Sequence, residues 1–441
     1  MKTTKLFFMA ALALMTAACS NDDNDLTQQP AKAEGIPFTA TISIGESGTT
    51  RALSESGSTL VATWATGEKV ALIHNGVKDE MTVSAVNAGV ATINGTITGS
   101  PSGGDAVTII YPSDAADGTT GNVKSDWLSS QVGTLKGTSG TSIEEKYDVR
   151  KGSGALNASG TSLDGTVSLT NQNAIFKLTL KDIDGANDVS ATSVVISDQT
   201  GVVTTVTPAS GYENAMYVAL PTTATTLKFL VTGSDSKKYF NMASSLSLSA
   251  RYYQSTVKLA TVGDVILSTG KCAKAGTSGA VAKICYLGDE TGESAYNYTN
   301  GLALALSDAN GGNGCQWKTS NTDAGHTYKP NSSTFTEESG LQYNAMHNSD
   351  EYPAFKAAIA NNGTAAPTGC SSWFLASGYQ WTKMVAGDYA TLRTNAALQS
   401  QFYWSSTEKE SERAWGCNFS NGYWSPSKKD QVRLVRSCLA F

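Results

Sequence analysis

The residues best suited to molecular recognition lie near the end of this sequence, in two stretches that mix charged, aromatic and small polar side chains. The stretches are residues 409–413 and 423–431, and the second begins with Tyr423 and Trp424 side by side. Aromatic side chains supply a large contact area for little loss of conformational entropy, and mixed charges give a surface its specificity. The pattern therefore predicts a surface that binds a partner through non-covalent contacts.

The segment between the two stretches is expected to complete this surface. Large side chains and a thiol alternate there with small or polar residues, as in a half-buried strand. Trp415, Cys417 and Phe419 should therefore face the core, while the residues between them face outward. The alternative is a solvated loop with one packed aromatic side chain. The predicted ligand-binding residues are Lys409, Glu410, Glu412, Arg413, Gly416, Asn418, Ser420, Tyr423, Trp424, Ser425, Ser427, Lys429 and Asp430.

Known catalytic and metal-binding patterns are missing from the sequence. It contains three histidines, His74, His326 and His347, and it has no His-Glu-x-x-His, Gly-x-Ser-x-Gly or Cys-x-x-Cys sequence. The adjacent carboxylates Glu337-Glu338 and Asp350-Glu351 have the form of acid pairs, but neighbouring surface carboxylates are usually only solvated. We therefore expect no enzyme activity, no metal and no cofactor.

Six of the seven cysteines follow residue 262, and in an oxidising compartment they could form up to three disulfides. The alternative is that they are buried free thiols, which behave as small hydrophobic side chains. Cys417 and Cys438 lie on two expected C-terminal strands and are the candidate pair for a bridge. The six are Cys272, Cys285, Cys315, Cys370, Cys417 and Cys438.

These residues are expected to lie on a small α+β unit that spans residues 263–441. The segment 352–359 has Pro at its second position, which favours the first turn of a helix, and a second helix should follow within 373–386. The unit should end with a strand over 414–419, a turn at Asn421-Gly422 and a returning strand. Asn-Gly favours a tight hairpin because both residues tolerate positive φ.

The preceding part of the chain has the pattern of short β-strands joined by loops. Apolar and polar residues alternate over 38–44 and 174–180, as they do in strands with one buried face. A loop-rich stretch after residue 113 should separate two halves. We expect two sandwich-like β domains, 36–150 and 151–262, so the fold class is mostly β with an α+β domain at the end.

The composition agrees with such a fold and excludes one class of partner. Only 16% of the residues are charged and 42 are glycine, a profile that suits many short strands joined by tight turns better than long helices. The formal net charge is −6. Nucleic-acid binding requires a basic surface that neutralises phosphates, so nucleic acid is not an expected partner.

The first residues have the form of an export signal. Lys2 and Lys5 precede an apolar run over residues 6–15, which is too short to span a bilayer and ends in small residues. We expect residues 1–18 to be a signal peptide that is removed on export. No other apolar run approaches 18 residues.

Residues 14–19, Leu-Met-Thr-Ala-Ala-Cys, resemble the lipobox of bacterial lipoproteins, with Thr16 where the consensus prefers Leu. The resemblance implies that Cys19 is lipidated and begins the mature chain. Residues 19–35 would be an acidic tether, similar to the surface-export signal of Bacteroides-type lipoproteins. Acyl chains would then be the only membrane contact and would place the protein at the surface of the outer membrane. The alternative is an ordinary cleaved signal with a chance cysteine.

A series of short motifs runs in order through residues 36–262. The motifs are Ile36-Pro37-Phe38-Thr39-Ala40, Thr50-Arg51-Ala52, Thr63-Trp64, Gly67-Glu68-Lys69-Val70-Ala71-Leu72, Tyr217-Val218-Ala219-Leu220-Pro221 and Leu248-Ser249-Ala250-Arg251-Tyr252-Tyr253. In this order they resemble the fimbrillin family, the pilus subunits and adhesins of Bacteroidales, with Glu68 where the family usually has Asp. The resemblance implies two β-sandwiches and other fimbrial subunits as partners.

Arg51 is the position that matches a processing site in many fimbrillins. In those proteins a protease cuts after an Arg in the first domain and removes a strand. The groove that opens is filled by a strand of a neighbouring subunit, which adds to the sheet edge. The resemblance implies such processing at Arg51, and the alternative is that Arg51 is an ordinary loop residue.

A second set of motifs covers residues 263–441. They are Trp373-Phe374-Leu375-Ala376-Ser377, Phe402-Tyr403-Trp404-Ser405-Ser406-Thr407-Glu408, Ala414-Trp415, Asn418-Phe419, Asn421-Gly422, Val432-Arg433-Leu434-Val435-Arg436 and Ala440-Phe441. They resemble the C-type-lectin-like domains of surface adhesins, including those diversified by retroelements. Ala376 stands where the family often has Pro. The predicted binding residues fall in the gaps that are variable in the diversified relatives.

The motifs of calcium-dependent sugar binding are missing, so the resemblance does not imply a calcium site. Together the two resemblances imply a cell-surface or fimbrial-tip adhesin that binds a host or bacterial protein or glycan. The alternative is a structural fimbrial subunit or anchor that polymerises by donor-strand exchange and binds no ligand. An enzyme is a third possibility, because a sulfatase-activating oxidase shares the lectin-like fold.

Overall fold

A computed structural model describes residues 35–44, 53–57, 59–118, 120–137, 140–386 and 388–441. The predicted signal peptide, the predicted lipidation site Cys19, the predicted processing site Arg51 and the predicted tether up to residue 34 lie outside the described residues. Within them the chain forms 29 β-strands and four α-helices, and all four helices follow residue 339. The prediction of a mostly β fold with helices in its C-terminal part is confirmed.

The first eleven strands build the β-rich region nearest the N-terminus. They are β1 Ile36–Ser43, β2 Ser54–Ser56, β3 Thr59–Val61, β4 Lys69–His74, β5 Val77–Asn87, β6 Val90–Ile97, β7 Ala106–Tyr111, β8 Ser130–Gln131, β9 Arg150–Ala155, β10 Val167–Ser168 and β11 Thr170–Asn171. Eight form one sheet in the order β10-β1-β6-β5-β4-β7-β9-β11. Phe38, Ala40 and Ile42 of β1 are buried at every second position, as the alternation predicts.

The next seven strands, together with β8, form two sheets that enclose a second core. They are β12 Asn173–Asp182, β13 Ala191–Asp198, β14 Gly201–Val206, β15 Ala215–Pro221, β16 Thr226–Gly233, β17 Lys238–Ser244 and β18 Tyr252–Leu259. The sheets have the orders β15-β12-β18 and β17-β16-β13-β14-β8. Val194, Phe229 and Val218 pack together between them. This arrangement of two facing sheets is that of a β-sandwich.

The loop-rich stretch after residue 113 does not simply separate the two halves. Its strand β8 joins the sheet of the second half by pairing with β14 in parallel. The amide of Gln131 is buried and bonds both backbone groups of Ala219, donating to the carbonyl at 2.8 Å and accepting from the N–H at 2.9 Å. The stretch therefore ties the first region to the second.

The C-terminal region contains the remaining strands and all the described α-helices. The strands are β19 Val265–Leu267, β20 Cys272–Ala273, β21 Ala280–Leu287, β22 Gly301–Ala305, β23 Cys315–Gln316, β24 Phe374–Leu375, β25 Phe402–Glu410, β26 Arg413–Asn418, β27 Tyr423–Lys428, β28 Val432–Arg433 and β29 Ser437–Ala440. The helices are α1 Gly340–Met346, α2 Pro353–Ala360, α3 Gly378–Val385 and α4 Tyr389–Asn395. The three sheets have the orders β20-β19-β21-β22-β29-β24, β23-β28 and β25-β26-β27.

Local sequence explains where two of these helices begin. Pro353 occupies the first turn of α2, where its missing N–H costs no hydrogen bond. Ser377 caps α3 by accepting from the backbone N–H of Gln380, whose side chain in turn accepts from the Ser377 N–H. None of the helices in the described ranges is both long and apolar enough to cross a bilayer.

The second sandwich and the C-terminal region share a continuous apolar core. Phe240 of β17 contacts Phe441 with ring centroids 4.5 Å apart, and Met242 and Ile284 belong to the same cluster. The connection between β18 and β19 is itself held, because Ala260 exchanges two backbone hydrogen bonds of 2.8 Å with Phe240. The two regions are therefore packed against each other as one unit.

Candidate binding surface

The predicted surface lies on the antiparallel sheet β25-β26-β27. Gly416 of the central strand pairs with Trp404 on one side and with Ser425 on the other. The last pair before the turn is Asn418 with Tyr423, so residues 419–422 connect the strands. The hairpin is present as predicted, but its loop is longer than the two residues of an Asn-Gly turn.

Glycine is required in this loop for two reasons. Gly422 has a φ of +72°, a conformation that side chains with a Cβ rarely adopt. A Cβ there would also stand 2.6 Å from the Tyr389 ring of α4. The N–H of Gly422 donates to the Asn418 carbonyl at 2.8 Å, which closes the loop. The loop is thus packed against α4.

The predicted alternation of buried and exposed residues along β26 is only partly observed. Trp415, Cys417 and Phe419 are buried, in agreement with the sequence pattern. Gly416 is buried as well, because the Phe402 ring covers it so closely that a Cβ would lie 2.3 Å from Cε1. The prediction that Gly416 faces a ligand is therefore wrong.

Exposure divides the thirteen predicted residues into three groups. The exposed ones are Glu412, Arg413, Ser420, Tyr423 and Asp430. The half-buried ones are Lys409, Glu410, Asn418, Trp424 and Ser425. The buried ones are Gly416, Ser427 and Lys429. Ser427 is buried because it pairs with the fully buried Ala414, and directly paired residues share one face of a sheet. The accessible residues lie toward the two ends of the hairpin and leave its middle covered.

At the turn end, two adjacent aromatic residues have different surroundings. The Tyr423 side chain is 67% exposed. The Trp424 indole is half-buried, donates from Nε1 to the Tyr389 hydroxyl at 2.9 Å and meets the edge of Phe335 at 4.9 Å. The expectation that both rings are exposed is wrong for Trp424, because Tyr389 of α4 and Phe335 cover its indole. Of the two aromatic side chains, Tyr423 is therefore the one exposed to solvent. Trp424 instead holds β27 against α4.

At the other end, charged side chains pair with each other in contact with solvent. Glu410 contacts Arg413 at 3.5 Å and Lys409 at 3.3 Å. Exposed ion pairs of this kind contribute little to stability because water screens them. Their charges remain available to a partner.

Lys429 does not belong to the surface. It is fully buried, forms an ion pair with Glu408, and donates to the carbonyls of Thr322 at 2.8 Å and Ser411 at 2.7 Å. Glu408 also accepts from the N–H of Ala324 at 3.0 Å. The prediction of Lys429 as a ligand-binding residue is wrong, since a buried ammonium must be paired within the protein.

Burial acts on both members of this pair. It raises the pKa of Glu408 and lowers the pKa of Lys429, because removal from water disfavours either charge. The hydrogen bond between them acts in the opposite sense on each pKa. Thr322 and Ala324 belong to a loop more than 80 residues before the pair, so the interaction joins this loop to the hairpin.

The same loop adds an aromatic residue that the sequence pattern did not single out. Tyr328 is exposed, and the following N–H, of Lys329, donates to the Glu408 carbonyl at 3.0 Å. The Lys329 carbonyl in turn accepts from Nε1 of Trp415 at 2.6 Å. These bonds place Tyr328 beside the charged end of the hairpin. An aromatic residue within a loop rich in Ser, Thr and Asn was the available signal.

The six cysteines after residue 262 are free thiols. Cys417 lies on β26, between Tyr403 and Trp424, whereas Cys438 lies on β29, between Leu304 and Phe374. The candidate bridge between Cys417 and Cys438 is absent, and the two free thiols lie on strands of different sheets. Burial raises the pKa of the Cys417 thiol to about 12, so this thiol stays protonated.

Two of the histidines form a buried pair. Nε2 of His326 lies 2.5 Å from Nε2 of His347, and their rings stack on Tyr343 and Tyr352. Burial lowers the pKa of His326 to about 3 and that of His347 to about 4, so both are neutral near pH 7. No group of three or more His, Cys, Asp or Glu side chains within the described ranges is arranged to hold a metal ion.

No protein-family model matches this chain, and no curated protein matches it in sequence. Among solved structures, it is similar to a fimbrial protein from Bacteroides ovatus ATCC 8483, with 13% identity over 93% of this chain and 100% of that one and a TM-score of 0.34. It is also similar to a candidate cell adhesion protein from the same strain, with 11% identity over 55% of this chain and 99% of that one and a TM-score of 0.33.

A third similar structure is a fimbrial assembly protein from Parabacteroides distasonis ATCC 8503. The identity is 12% over 50% of this chain and 90% of that one, with a TM-score of 0.28. These solved structures are fimbrial and cell adhesion proteins. TM-scores below 0.5 do not establish a shared fold, so the mostly β architecture rests on the strands and sheets described above.

Proposed function

We propose that this chain is a cell-surface adhesin of the fimbrial type, in which the β-rich regions carry a C-terminal lectin-like domain that binds a protein or glycan. The observation that carries the proposal is the 67% exposure of Tyr423 on an otherwise well-packed sheet. An exposed tyrosine on a rigid strand loses little entropy on binding, which is how aromatic side chains dominate many recognition surfaces.

The supporting structure beneath Tyr423 favours binding over a solvated loop. Its neighbour Trp424 is hydrogen-bonded to α4, and the Gly422 loop packs on the Tyr389 ring of the same helix. Exposed Ser420 and half-buried Asn418 lie beside Tyr423, with Asn418 Oδ1 accepting from the Ser420 N–H at 2.9 Å. A fixed aromatic ring next to hydroxyl and amide groups suits a sugar ring or a polar protein surface.

The proposal includes a place for the protein in the cell. We propose that Cys19 is acylated and holds the chain at the outer-membrane surface, and that other fimbrial subunits are its neighbours. Two β-rich regions between this anchor and the lectin-like domain would hold Tyr423 away from the membrane.

A full-length protein with Tyr423→Ala tests the binding role. We expect the unaltered protein to bind at least one member of a panel of host and bacterial glycans and surface proteins. Tyr423→Ala should weaken that binding by about tenfold or more, the effect of losing one central aromatic contact. Surface plasmon resonance measures the affinity, and circular dichroism checks that the variant is folded.

Tyr296→Ala is the matched control, because Tyr296 is an exposed tyrosine of the same C-terminal region outside the hairpin. It should leave the affinity unchanged. Equal binding by the Tyr423→Ala protein would refute the hairpin as the site. Failure of the folded protein to bind any probe would count against the adhesin and favour a structural role.

A structural fimbrial subunit is the second candidate, and the position of β1 favours it. Among the described strands β1 alone precedes Arg51, and it lies between β6 and β10, paired with β6 over eight residues. Cleavage after Arg51 would free this strand and leave the edge of β6 open to a strand from another subunit. Mass spectrometry of the surface protein would show whether residues 19–51 are missing.

A further inference from the structure

A large cleft separates the second sandwich from the helices of the C-terminal region. Its volume is about 670 Å³, within the roughly 300–1,000 Å³ of small-molecule sites. One wall comes from β17 and the segment after β18, and the opposite wall comes from the end of β21, α3 and α4. It is distinct from the hairpin surface, since none of the thirteen predicted binding residues lines it.

The interior of the cleft is mainly apolar. Leu287, Met384, Val385 and Leu392 line it with side chains that otherwise belong to the core. On the opposite wall, Val262 is 46% exposed, which is unusual for a valine in a segment packed between two regions. An exposed apolar side chain facing a preformed apolar cleft favours a ligand with a hydrocarbon or aromatic body.

The charged residues of the cleft are mostly basic. Lys237, Lys238 and Lys383 line it, and Asp388 is the carboxylate among its lining residues. Asp388 already caps α4 by accepting from the Thr391 N–H at 3.0 Å. Lys237 contacts Asp235 at 3.1 Å and Lys383 contacts Glu290 at 2.7 Å.

Lys238 differs from the other two lysines. Its ammonium donates to the Thr232 hydroxyl at 2.7 Å, and no carboxylate of the described residues pairs with it. An ammonium without a counter-charge beside an apolar cleft favours one negative group on the ligand.

The shared core described above holds the two walls at a fixed distance. Ring contact between Phe240 and Phe441 spans the junction next to the cleft, and the double hydrogen bond between Phe240 and Ala260 fixes the segment after β18 to β17 within one wall. A cleft that is already open requires little rearrangement when it is filled, which favours binding. We propose that this cleft binds a small amphiphile with an apolar body and one anionic group, which Lys238 pairs with.

Binding of 8-anilinonaphthalene-1-sulfonate tests the proposal, because this dye has an aromatic body and one sulfonate. The protein is the full chain with Cys19→Ser, which removes the predicted acylation site and with it any competing acyl chain. We expect saturable binding of one dye molecule with increased fluorescence. Decanoate should displace the dye, whereas decylammonium, with the opposite charge, should be at least tenfold less effective.

Two variants locate the site. Val262→Trp fills the cleft from its exposed wall and should weaken dye binding about tenfold or more. Lys238→Glu removes the unpaired cation and should weaken it by about threefold to tenfold. The matched controls are Val202→Trp, at an exposed valine of β14, and Lys271→Glu, at an exposed lysine of the β19–β20 turn, and neither should change the affinity.

Each other outcome overturns a defined part of the proposal. Equal dye binding by the Val262→Trp protein would show that the dye lies elsewhere, and absence of saturable binding would refute the site. Displacement by decylammonium as effective as that by decanoate would refute the preference for an anion. A folded Lys238→Glu protein with unchanged affinity would exclude Lys238 as the partner of the anionic group.

Discussion

Two ion pairs of the hairpin region each join a basic side chain to a glutamate, and their surroundings are opposite. The Arg413–Glu410 pair lies in solvent, with 44% of each side chain exposed. The Lys429–Glu408 pair is closed off from solvent, with both side chains at 0% exposure. Glu410, Arg413 and Lys429 all belong to what the sequence shows as one mixed-charge surface, whereas Glu408 directly precedes it. The comparison shows that the charge pattern alone does not separate residues that bind a partner from residues that hold the domain together.

The difference follows from the number of contacts around each charge. Arg413 is at the start of β26, where Glu410 is its one counter-charge among the described residues. Lys429 follows β27 and turns inward, where two carbonyls and a carboxylate accept its three protons. A buried charge with a complete set of partners is stable, but removal of any one partner leaves an unpaired charge inside the protein.

The largest expected change in stability comes from removal of the buried cation, Lys429. Lys429→Met should reduce the free energy of unfolding by about 3–5 kcal/mol, because it leaves Glu408 buried without a counter-charge. Urea denaturation followed by tryptophan fluorescence measures the change. Lys409→Met is the control at a half-buried neighbouring lysine and should change stability by less than about 1 kcal/mol.

The double variant Glu408→Gln/Lys429→Met sharpens this comparison. Removing both charges avoids the unpaired carboxylate, so it should be less destabilising than Lys429→Met alone. Equal or greater destabilisation would show that the hydrogen bonds of Glu408 to the 324–326 loop, rather than the ion pair, are what the domain requires.

A smaller change in stability is expected when the pH is lowered, because of the buried histidines next to this pair. His326 and His347 have folded pKa values of about 3 and about 4, whereas an unfolded histidine has a pKa near 6.5. The unfolded chain therefore binds more protons below pH 6.5, and stability is lost as the pH falls from there toward the folded values. Between pH 6.5 and 5 each histidine should lower the unfolding free energy by about 1–2 kcal/mol.

His347→Phe isolates this contribution. It retains an aromatic ring against Tyr352 but cannot take up a proton, so its stability should decline less steeply below pH 6.5. Buried Glu293 and Glu338, whose pKa values are raised by burial, act in the opposite direction in both proteins. The difference between the two pH profiles is therefore the measurement, and identical profiles would contradict the prediction.

The smallest change in stability is expected at the exposed pair of Arg413 and Glu410. Arg413→Ala should change the unfolding free energy by less than about 0.5 kcal/mol, and the change should decrease further at high salt. A loss above 1 kcal/mol would show that Arg413 has a packing role and would remove it from the proposed binding surface.

Local patterns predicted much of the fold. Alternation placed Phe38, Ala40 and Ile42 in the first core, and the Pro at the start of 352–359 marked a helix that the structure has as α2. Helices α1 and α4 were not predicted. Each is seven residues long and lacks an extended apolar face, so it is stabilised by its packing against the rest of the domain.

The candidate site was predictable only in part, since burial depends on contacts between distant residues. Tyr423 is exposed as the sequence implied. Trp424 is covered by Tyr389 and Phe335, and Lys429 is enclosed by Thr322 and Glu408, which lie 107 and 21 residues away along the chain. No local pattern contains that information. Whether the remaining residues bind a ligand stays a prediction.

The shared core at Phe240 and Phe441 has a mechanical consequence for the proposed adhesin, which would hold its partner under flow. Tension on the hairpin cannot be relieved by rotation about a flexible joint, because the segment between β18 and β19 is hydrogen-bonded to β17. The force is instead transmitted to the parallel pairing of β12 with β18, which extends over eight residues. Strands loaded along their length resist separation through many hydrogen bonds at once, so the second sandwich and the C-terminal region would act as a single stiff lever.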